Sequence, residues 1–438
     1  ANSSVQGTRA SGGGVYVMNG TFIMEDGSKI TGSSASYGGG VYVAKGTFTM
    51  GGGTISENKA SGDGASGGGV CISGGTFTMS DGAVISKNTA ASSGGGVFVS
   101  ERGDFTMKGG TIGGPEAESA NSAENGGGVY IFEGTFTMSD SAVISGNSAD
   151  GSGGGVYVGG DSPGSSTFTM RDRAVISGNS ATSSGGGVYV YETGNFTMEG
   201  GTIGETTAGD GNNADIAGGG VCVYEGTFTM NGGIITGNES DGSGGGIYLD
   251  GVNAKVTLNN TSSISGNQAV QNGGGVYVSD GTFTVSGSPN IRGNYLFDVN
   301  DVNNVYLASG NTITIGAEDL TGGTIGVTAE GIGVGGKVKI TNTSVARAGA
   351  IFTSDLKGYT IVESNDAVYL SDVETMYETT NGDKRMGTFK NALDAVNSSA
   401  DGGTITLLKN IDRTNAVFGA DNDTPITFKG SSESISFI

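Results

Sequence analysis

The chain contains no histidine and no tryptophan, and only two cysteines and four prolines among its 438 residues. The lack of histidine excludes any mechanism that requires a histidine base or a histidine metal ligand. Basic residues are also scarce, because 21 lysines and arginines stand against 43 aspartates and glutamates, for a net charge of −22. A surface of this sign repels nucleic acid and anionic membranes, so we expect neither as a partner.

The two cysteines, Cys71 and Cys222, occupy the same position in repeats that are five units apart. In a stack of strands this separation is about 24 Å, whereas a disulfide requires Cα atoms within roughly 7 Å. We therefore expect two free thiols. No metal-binding motif is present, and we predict neither a metal nor a cofactor. No apolar run is long enough to span a bilayer, so we predict no membrane insertion in this segment.

Glycine is abundant, with 88 residues, and it marks a repeat. The motif GGGVYV, followed by GTFTM, occurs ten times at intervals of 26 to 33 residues. The triple glycine begins at Gly12, Gly38, Gly67, Gly94, Gly126, Gly153, Gly185, Gly218, Gly244 and Gly273. A period in this range is typical of stacked supersecondary units, because one short unit cannot bury its apolar face alone.

Each repeat contains three apolar segments of three to five residues, which are too short for helices and suit strands. In VYV, alternation places the aliphatic residues inward and the middle residue outward. In TFTM, phenylalanine and methionine recur in register, and the third segment ends at an isoleucine. An asparagine follows three residues later in seven repeats and predicts an amide ladder at one corner: Asn58, Asn88, Asn147, Asn179, Asn238, Asn267 and Asn294.

Three strands joined by tight corners form one coil of a β-helix. We therefore predict an all-β fold, a right-handed parallel β-helix (solenoid) with three short strands per coil. A leucine-rich-repeat horseshoe or a propeller would need motifs that this sequence lacks. Residues 1–294 form the regular repeats, and residues 295–372 form an irregular continuation with coils to about Asp372. In residues 373–438, Thr388–Ser399 predicts a short amphipathic helix ahead of strands, as a cap or the start of a second β-helical module.

The combination of GGGV with IxxN, as in Ile55–Ala60 and Ile144–Ala149, resembles the repeats of the polymorphic outer-membrane proteins. It is also similar to related β-helical surface adhesins of anaerobic bacteria. The resemblance covers Gly12 to about Asn294 and implies a right-handed β-helix at the bacterial surface. The chain has GGG in place of GGA and isoleucine in place of phenylalanine, and autotransport is not implied. No catalytic residues come with the family.

The outward tyrosines of the VYV segments are the first candidate ligand site. Tyr130, Tyr157 and Tyr189 present rigid amphipathic rings at low entropic cost, which suits stacking on sugar rings. The alternative is that the rings cover one another or pack under loops. Loops are predicted at three insertions in the repeats: Gly113–Asn125, Gly159–Ser166 and Gly204–Ala217.

The second candidate is the densest charge cluster in the repeats, Arg171, Asp172 and Arg173. It is either a subsite for an acidic sugar or a solvated ion pair. An aspartate also recurs two residues after the methionine in four repeats, where a turn residue that bonds its own backbone is the simpler interpretation: Asp26, Asp81, Asp140 and Asp172.

The outward threonines of TFTM form a third regular feature. Their TxT ladder resembles that of ice-binding β-solenoids, although Asp104 and Asn195 interrupt it. Threonine is in any case favoured on exposed strands.

No convergent catalytic set emerges from these candidates. We predict a non-catalytic extracellular rod of a bacterial cell-surface adhesin, which binds a host glycoprotein or glycan or acts as a stalk. The alternatives are a carbohydrate-binding or polysaccharide-degrading β-helix and, third, an ice-binding protein. We expect the chain to be a secreted or surface-displayed segment of a larger protein, with end-to-end contact to further repeats.

Overall fold

The computed structural model describes residues 9–80, 82–162, 165–204, 209–297, 301–332 and 337–372, together with the backbone of four short strands further on. Over these residues the chain winds into a parallel β-solenoid of about eleven coils. The predicted all-β fold with three strands in each coil is confirmed. A further strand of two to four residues lies at the corner where the sequence predicts an asparagine turn.

The first strand of each coil, here called the valine strand, follows the triple glycine. Its two aliphatic residues are fully buried from the second coil onward, and its middle residue points outward. Neighbouring strands pair in parallel without a register shift. The valine strands are Val15–Val17, Val41–Val43, Val70–Ser73, Val97–Ser100, Val129–Ile131, Val156–Val158, Val188–Tyr191, Val221–Tyr224, Ile247–Asp250, Val276–Val278 and Val305–Leu307.

The second strand, the phenylalanine strand, supplies the largest core side chains. Its phenylalanine rings stack inside the solenoid with centroids 4.6 to 5.1 Å apart. The methionines form a second buried column beside them. These strands are Thr21–Met24, Thr47–Met50, Thr76–Met79, Asp104–Met107, Thr135–Met138, Thr167–Met170, Asn195–Met198, Thr227–Met230, Lys255–Leu258, Thr282–Gly287 and Ile313–Leu320.

The third strand, the isoleucine strand, completes the apolar interior, with its isoleucine fully buried from the second coil onward. The first ten are Lys29–Thr31, Thr54–Ser56, Val84–Ser86, Thr111–Gly113, Val143–Ser145, Val175–Ser177, Thr202–Gly204, Ile234–Thr236, Ser263–Ser265 and Asn290–Ile291. Thr324–Ala329 then continues both this column and the valine column, which joins the two into one sheet. Phe352–Ser354 extends it by one more strand.

The additional strand, the alanine strand, lies at the asparagine corner, and from the second coil to the tenth it buries one small side chain. A small residue fits because the chain crosses a narrow corner there, separate from the main core. These strands are Arg9–Ser11, Ser34–Tyr37, Lys59–Ala60, Thr89–Ala90, Ser122–Ala123, Ser148–Ala149, Ser180–Ala181, Asn213–Ala214, Glu239–Ser240, Gln268–Ala269 and Tyr295–Leu296.

The triple glycine is required by the backbone at the corner before each valine strand. Gly126 has φ of 63°, in the left-handed region that favours glycine. A β-carbon on Gly128 would lie 2.5 Å from the carbonyl oxygen of Gly155 and 3.0 Å from the Ile144 side chain. Successive coils therefore approach too closely at this corner for any side chain.

Beyond Ala329, apart from the parallel strand Phe352–Ser354, the described chain forms an antiparallel cap instead of further coils. The sequence predicts irregular coils to about Asp372, but its KVKI and AVYL segments pair antiparallel. Alternation shows that a strand has two unlike faces but not the direction of its neighbour. The cap comprises Lys337–Lys339, Tyr359–Glu363, Val368–Asp372 and the helix Ala348–Ile351.

The cap covers the last coil of the solenoid. Ile313 N–H donates to the Ile340 carbonyl at 2.8 Å, which satisfies the edge of the phenylalanine column. Phe352 continues the isoleucine column and joins the main core. Further on, Thr375–Glu378 pairs antiparallel with Lys384–Gly387, and Ile405–Leu407 pairs in parallel with Phe428–Gly430. The helix predicted at 388–399 lies outside the described residues.

Candidate functional site

The interior of the solenoid is filled by its own side chains. One continuous apolar cluster runs from Val17 to Leu370, and nearly all of its members are fully buried. Polar groups inside the coils belong chiefly to the asparagine corner. Any ligand must therefore act on the outer faces, the corners or the ends.

The predicted asparagine ladder is present and longer than predicted. Each side-chain amide donates to the Oδ1 of the asparagine in the next coil at 2.8 to 3.0 Å. Asn121 and Asn212 fill the two coils where insertions conceal the motif. They stand nine residues after the isoleucine (112 to 121, 203 to 212) instead of three, and the Asn-x-Ala near the end of each insertion is the signal that identifies them. Asn304, which accepts from Asn294, is the tenth member, and all ten are buried.

Asp355 ends this ladder in the cap. It accepts the backbone N–H of Asn304 at 2.7 Å and the Asn304 side-chain amide at 2.8 Å. All amide groups of the ladder point their N–H toward this end, so their aligned dipoles favour an acceptor there. Burial raises the pKa of Asp355, and the two hydrogen bonds oppose that rise. The role of this carboxylate is therefore structural.

The outward residues of the valine strands form one aromatic column, interrupted at Cys71 and Cys222. Its neighbouring rings lie 4.4 to 5.6 Å apart. Both cysteines are free and buried, as the sequence predicts for thiols too far apart to bond. Most of these neighbouring rings are stacked and so cover one another's faces, whereas Phe98–Tyr130 and Tyr157–Tyr189 are tilted by 39° and 41°.

Tyr130, Tyr157 and Tyr189 are adjacent in this column. The Tyr130 and Tyr157 rings stack at 4.4 Å, and Tyr157 is only 9% exposed. The Gly159–Ser166 bulge lies beside them, since a β-carbon on Gly159 would be 3.0 Å from the Tyr157 ring. Burial raises the pKa of Tyr130 to about 12 and raises those of Tyr157 and Tyr189 as well. A ligand therefore meets ring edges here, and the ligand role of these residues stays a prediction.

A second aromatic column, which the sequence did not indicate, lies beside the first. Tyr191 and Tyr224 end valine strands that are one residue longer than most, and their rings stack at 5.9 Å with planes 7° apart. Tyr191 also contacts Tyr157 and Tyr189, with centroids 6.2 and 6.1 Å away. Tyr224 is 40% exposed. The four-residue segments VYVY and VCVY are the signal that distinguishes these coils.

Carboxylates follow the aromatic columns at the next corner. In each coil from the fourth to the tenth, one acidic residue lies at the end of the valine strand or between it and the phenylalanine strand: Glu101, Glu133, Asp161, Glu192, Glu225, Asp250 and Asp280. The charge of Asp161 adds to the effect of burial in raising the pKa of Tyr130. We call this row the acidic corner. It gives the aromatic face a strongly negative border.

Arg171, Asp172 and Arg173 lie at the other end of the phenylalanine strand from the acidic corner. The structure therefore does not bring them together with the tyrosines. Arg171 pairs with Glu199 of the next coil at 3.7 Å, with both side chains about half exposed. Asp172 has φ of 59° and accepts the backbone N–H of Asp140 at 3.3 Å. Its geometry is that of a turn residue, and the proposed sugar subsite stays a prediction.

The outward threonines form two columns on the phenylalanine strands. The first is interrupted by Asp104, Asn195 and Lys255. The second, which sequence reasoning did not separate from the first, is unbroken over ten coils and half-buried throughout: Thr49, Thr78, Thr106, Thr137, Thr169, Thr197, Thr229, Thr257, Thr284 and Thr314.

Within the described part of the chain, no three acidic or cysteine side chains are grouped as a metal site would require. The described helices are also too short to cross a bilayer.

Comparison with known proteins leaves the fold as the firm conclusion. No protein-family model matches the chain, and no curated protein matches it in sequence. The resemblance to the polymorphic outer-membrane proteins rests on the repeat motifs alone and stays a prediction. The chain is a parallel β-solenoid whose outer faces carry an aromatic face, an acidic corner and a threonine column.

Proposed function

We propose that the chain is a non-catalytic extracellular rod, a segment of a bacterial cell-surface adhesin that presents its outer faces to a host protein or glycan. The observation that carries the proposal is the filled interior. Eleven coils at about 4.8 Å each give a rod of about 50 Å, and its core columns are fully buried through nearly its whole length. Such a structure holds a surface at a fixed distance, and the described coils are filled by their own apolar side chains.

The residues on the outer surface support a binding role. A rod with a filled interior contacts its partners through its outer faces and corners. This chain carries aromatic and acidic residues side by side on its outer surface. Arg171 forms an ion pair with Glu199, and Asp172 accepts a hydrogen bond from the backbone N–H of Asp140, each in a neighbouring coil. These contacts favour binding over turnover of a polysaccharide.

The test is binding of the labelled chain to host epithelial cells and to immobilised glycans and glycoproteins. We expect saturable binding that a variant with Tyr157→Ala and Tyr191→Ala reduces, because it removes two rings of the aromatic face. A matched variant with Thr89→Ala and Ser180→Ala, on the alanine strands, should bind as the wild type does. Turnover of a polysaccharide by the purified chain, lost on Asp172→Ala, would instead support the enzyme alternative.

Ice binding is a second candidate, favoured by the unbroken threonine column. A flat parallel sheet repeats its hydroxyl and methyl groups every 4.8 Å or so, which is a regular array for an ordered water surface. Thermal hysteresis of the purified chain is the direct test. Activity that disappears on Thr137→Tyr, but survives Ser148→Tyr on the alanine strands, would establish it, and no hysteresis in the wild type would exclude it.

A further inference from the structure

Among the described residues, no second ring stacks on the other side of Tyr224. Its first face stacks on Tyr191 of the preceding coil at 5.9 Å. The strand register places Asp250, and not another ring, opposite Tyr224 in the next coil. Tyr224 is 40% exposed, so solvent reaches part of its side chain. The ladder of covered faces is therefore open at this point.

Asp250 supplies an available negative charge beside that face. Among the described residues, its carboxylate has no ion pair and no side-chain hydrogen bond. The neighbouring Glu225 is engaged differently, because its Oε2 accepts the backbone N–H of Asn253 at 2.9 Å. After burial, the charge of Asp250 also contributes to raising the pKa of Tyr248 and of Cys222. Its carboxylate therefore lies within the aromatic face.

We propose that Tyr224 and Asp250 bind a cationic side chain, an arginine or a lysine, in a basic segment of a partner protein. Neighbouring strands are about 4.8 Å apart, and a cation within about 6 Å of a ring centroid is attracted to its face. A cation that pairs with the Asp250 carboxylate would therefore also lie within range of the Tyr224 ring. Guanidinium is the best fit, because it stacks on an aromatic ring and pairs with a carboxylate at the same time.

Charge complementarity selects a peptide with several cations over a single small one. The acidic corner continues on both sides of Tyr224, with Glu192 in the preceding coil and Asp280 beyond Asp250. With a net charge of −22, the chain attracts basic partners over a distance, and contact at the ring then fixes their position. The inference names the partner chemistry of the proposed binding rod and rests on that function.

The experiment measures binding of a fluorescent hexa-arginine peptide to the full chain by anisotropy at two salt concentrations. We expect Tyr224→Ala to weaken binding about fivefold, the loss of one exposed cation–π contact. Asp250→Asn should weaken it by a similar factor, and Tyr224→Phe, which keeps the ring, should bind nearly as the wild type does. The matched control Glu239→Gln removes an exposed carboxylate from an alanine strand and should change binding less than Asp250→Asn does.

Equal weakening by Asp250→Asn and Glu239→Gln would show diffuse attraction to net charge and overturn the proposal. Unchanged binding by Tyr224→Ala would do the same. The test also separates this inference from the function that it deepens. If the chain binds cells but Tyr224→Ala and Asp250→Asn leave peptide binding unchanged, the proposed site is wrong and the proposed adhesin function stands. If the two variants weaken peptide binding as expected but the chain binds no cell or glycan, the adhesin function is wrong and the site stands.

Discussion

Replacement of Asn179 by alanine tests the amide ladder at its centre. Asn179 Oδ1 accepts both the backbone N–H and the side-chain amide of Asn147, each at 3.0 Å. Its own amide donates to the carbonyls of Ile144 and Ser177, at 3.1 and 3.0 Å, and to the next asparagine at 2.9 Å. The side chain is 1% exposed, so water does not readily replace it.

The expected loss follows from the groups left without partners. The buried N–H of Asn147 loses its acceptor, at a cost of about 1–3 kcal/mol, and each of the two lost bonds to backbone carbonyls costs about 1 kcal/mol more. We therefore expect Asn179→Ala to lower the free energy of unfolding by about 3–5 kcal/mol. Asn195→Ala is the matched control, because Asn195 lies exposed on a phenylalanine strand of the next coil.

Urea denaturation followed by circular dichroism measures the difference. The control should stay within about 0.5 kcal/mol of the wild type, as surface substitutions usually do. Because cooperativity can fail in long repeat arrays, hydrogen exchange of the Asn147 amide provides a local measure. If Asn179→Ala cost no more than Asn195→Ala and left that amide protected, the ladder would be an incidental arrangement and the reasoning would be refuted.

Three further predictions concern the core, the aromatic column and the glycine corner. Phe136→Ala should lower the free energy of unfolding by about 3–5 kcal/mol, because it opens a cavity in the ring stack; Thr137→Ala, on the outer side of the same strand, should cost much less. In a spectroscopic titration compared with Tyr130→Phe, Tyr130 should ionise near its pKa of about 12. This folded-state pKa lies above the ordinary value of about 10, so the folded protein favours the protonated phenol. The contribution of Tyr130 to stability is therefore present below pH 10 and lost as the pH rises through 12. Ionisation of Tyr130 near pH 10 would contradict this. Gly128→Ala should cost about 1–3 kcal/mol through overpacking, whereas Gly349→Ala, whose β-carbon would meet no atom within 4 Å, should be nearly neutral.

The periodic core was predictable because each column is chemically uniform. Phenylalanine, methionine and isoleucine recur at fixed offsets from the triple glycine, and alternation assigns the inward side without further information. Asn121 and Asn212 were missed because six extra residues separate each from its isoleucine (nine minus three). The prediction depended on the spacing of three residues between isoleucine and asparagine. An insertion between these two residues changes the spacing but leaves the asparagine at the corner.

Strand direction and ring packing were not available from the pattern. The segments at Lys337–Lys339 and Val368–Asp372 alternate as coil strands do, yet they pair antiparallel, since both directions need the same alternation. Alternation also places Tyr157 outward, but whether its faces are open depends on the rings above and below it. Tyr191 and Tyr224 depend on strand length, because only a strand with a fourth residue carries a second outward ring.

Distances along the rod test the central claim that the repeats stack one above the other. Spin labels at cysteines that replace outward threonines can be placed at Thr47 with Thr167, four coils apart, and at Thr47 with Thr282, eight coils apart. The buried native cysteines are replaced by alanine. Pulsed electron resonance should then give distances of roughly 19 and 38 Å between the two labels, so that the distance doubles with the number of coils. Similar distances for both pairs, or a longer distance for the nearer pair, would contradict a parallel solenoid.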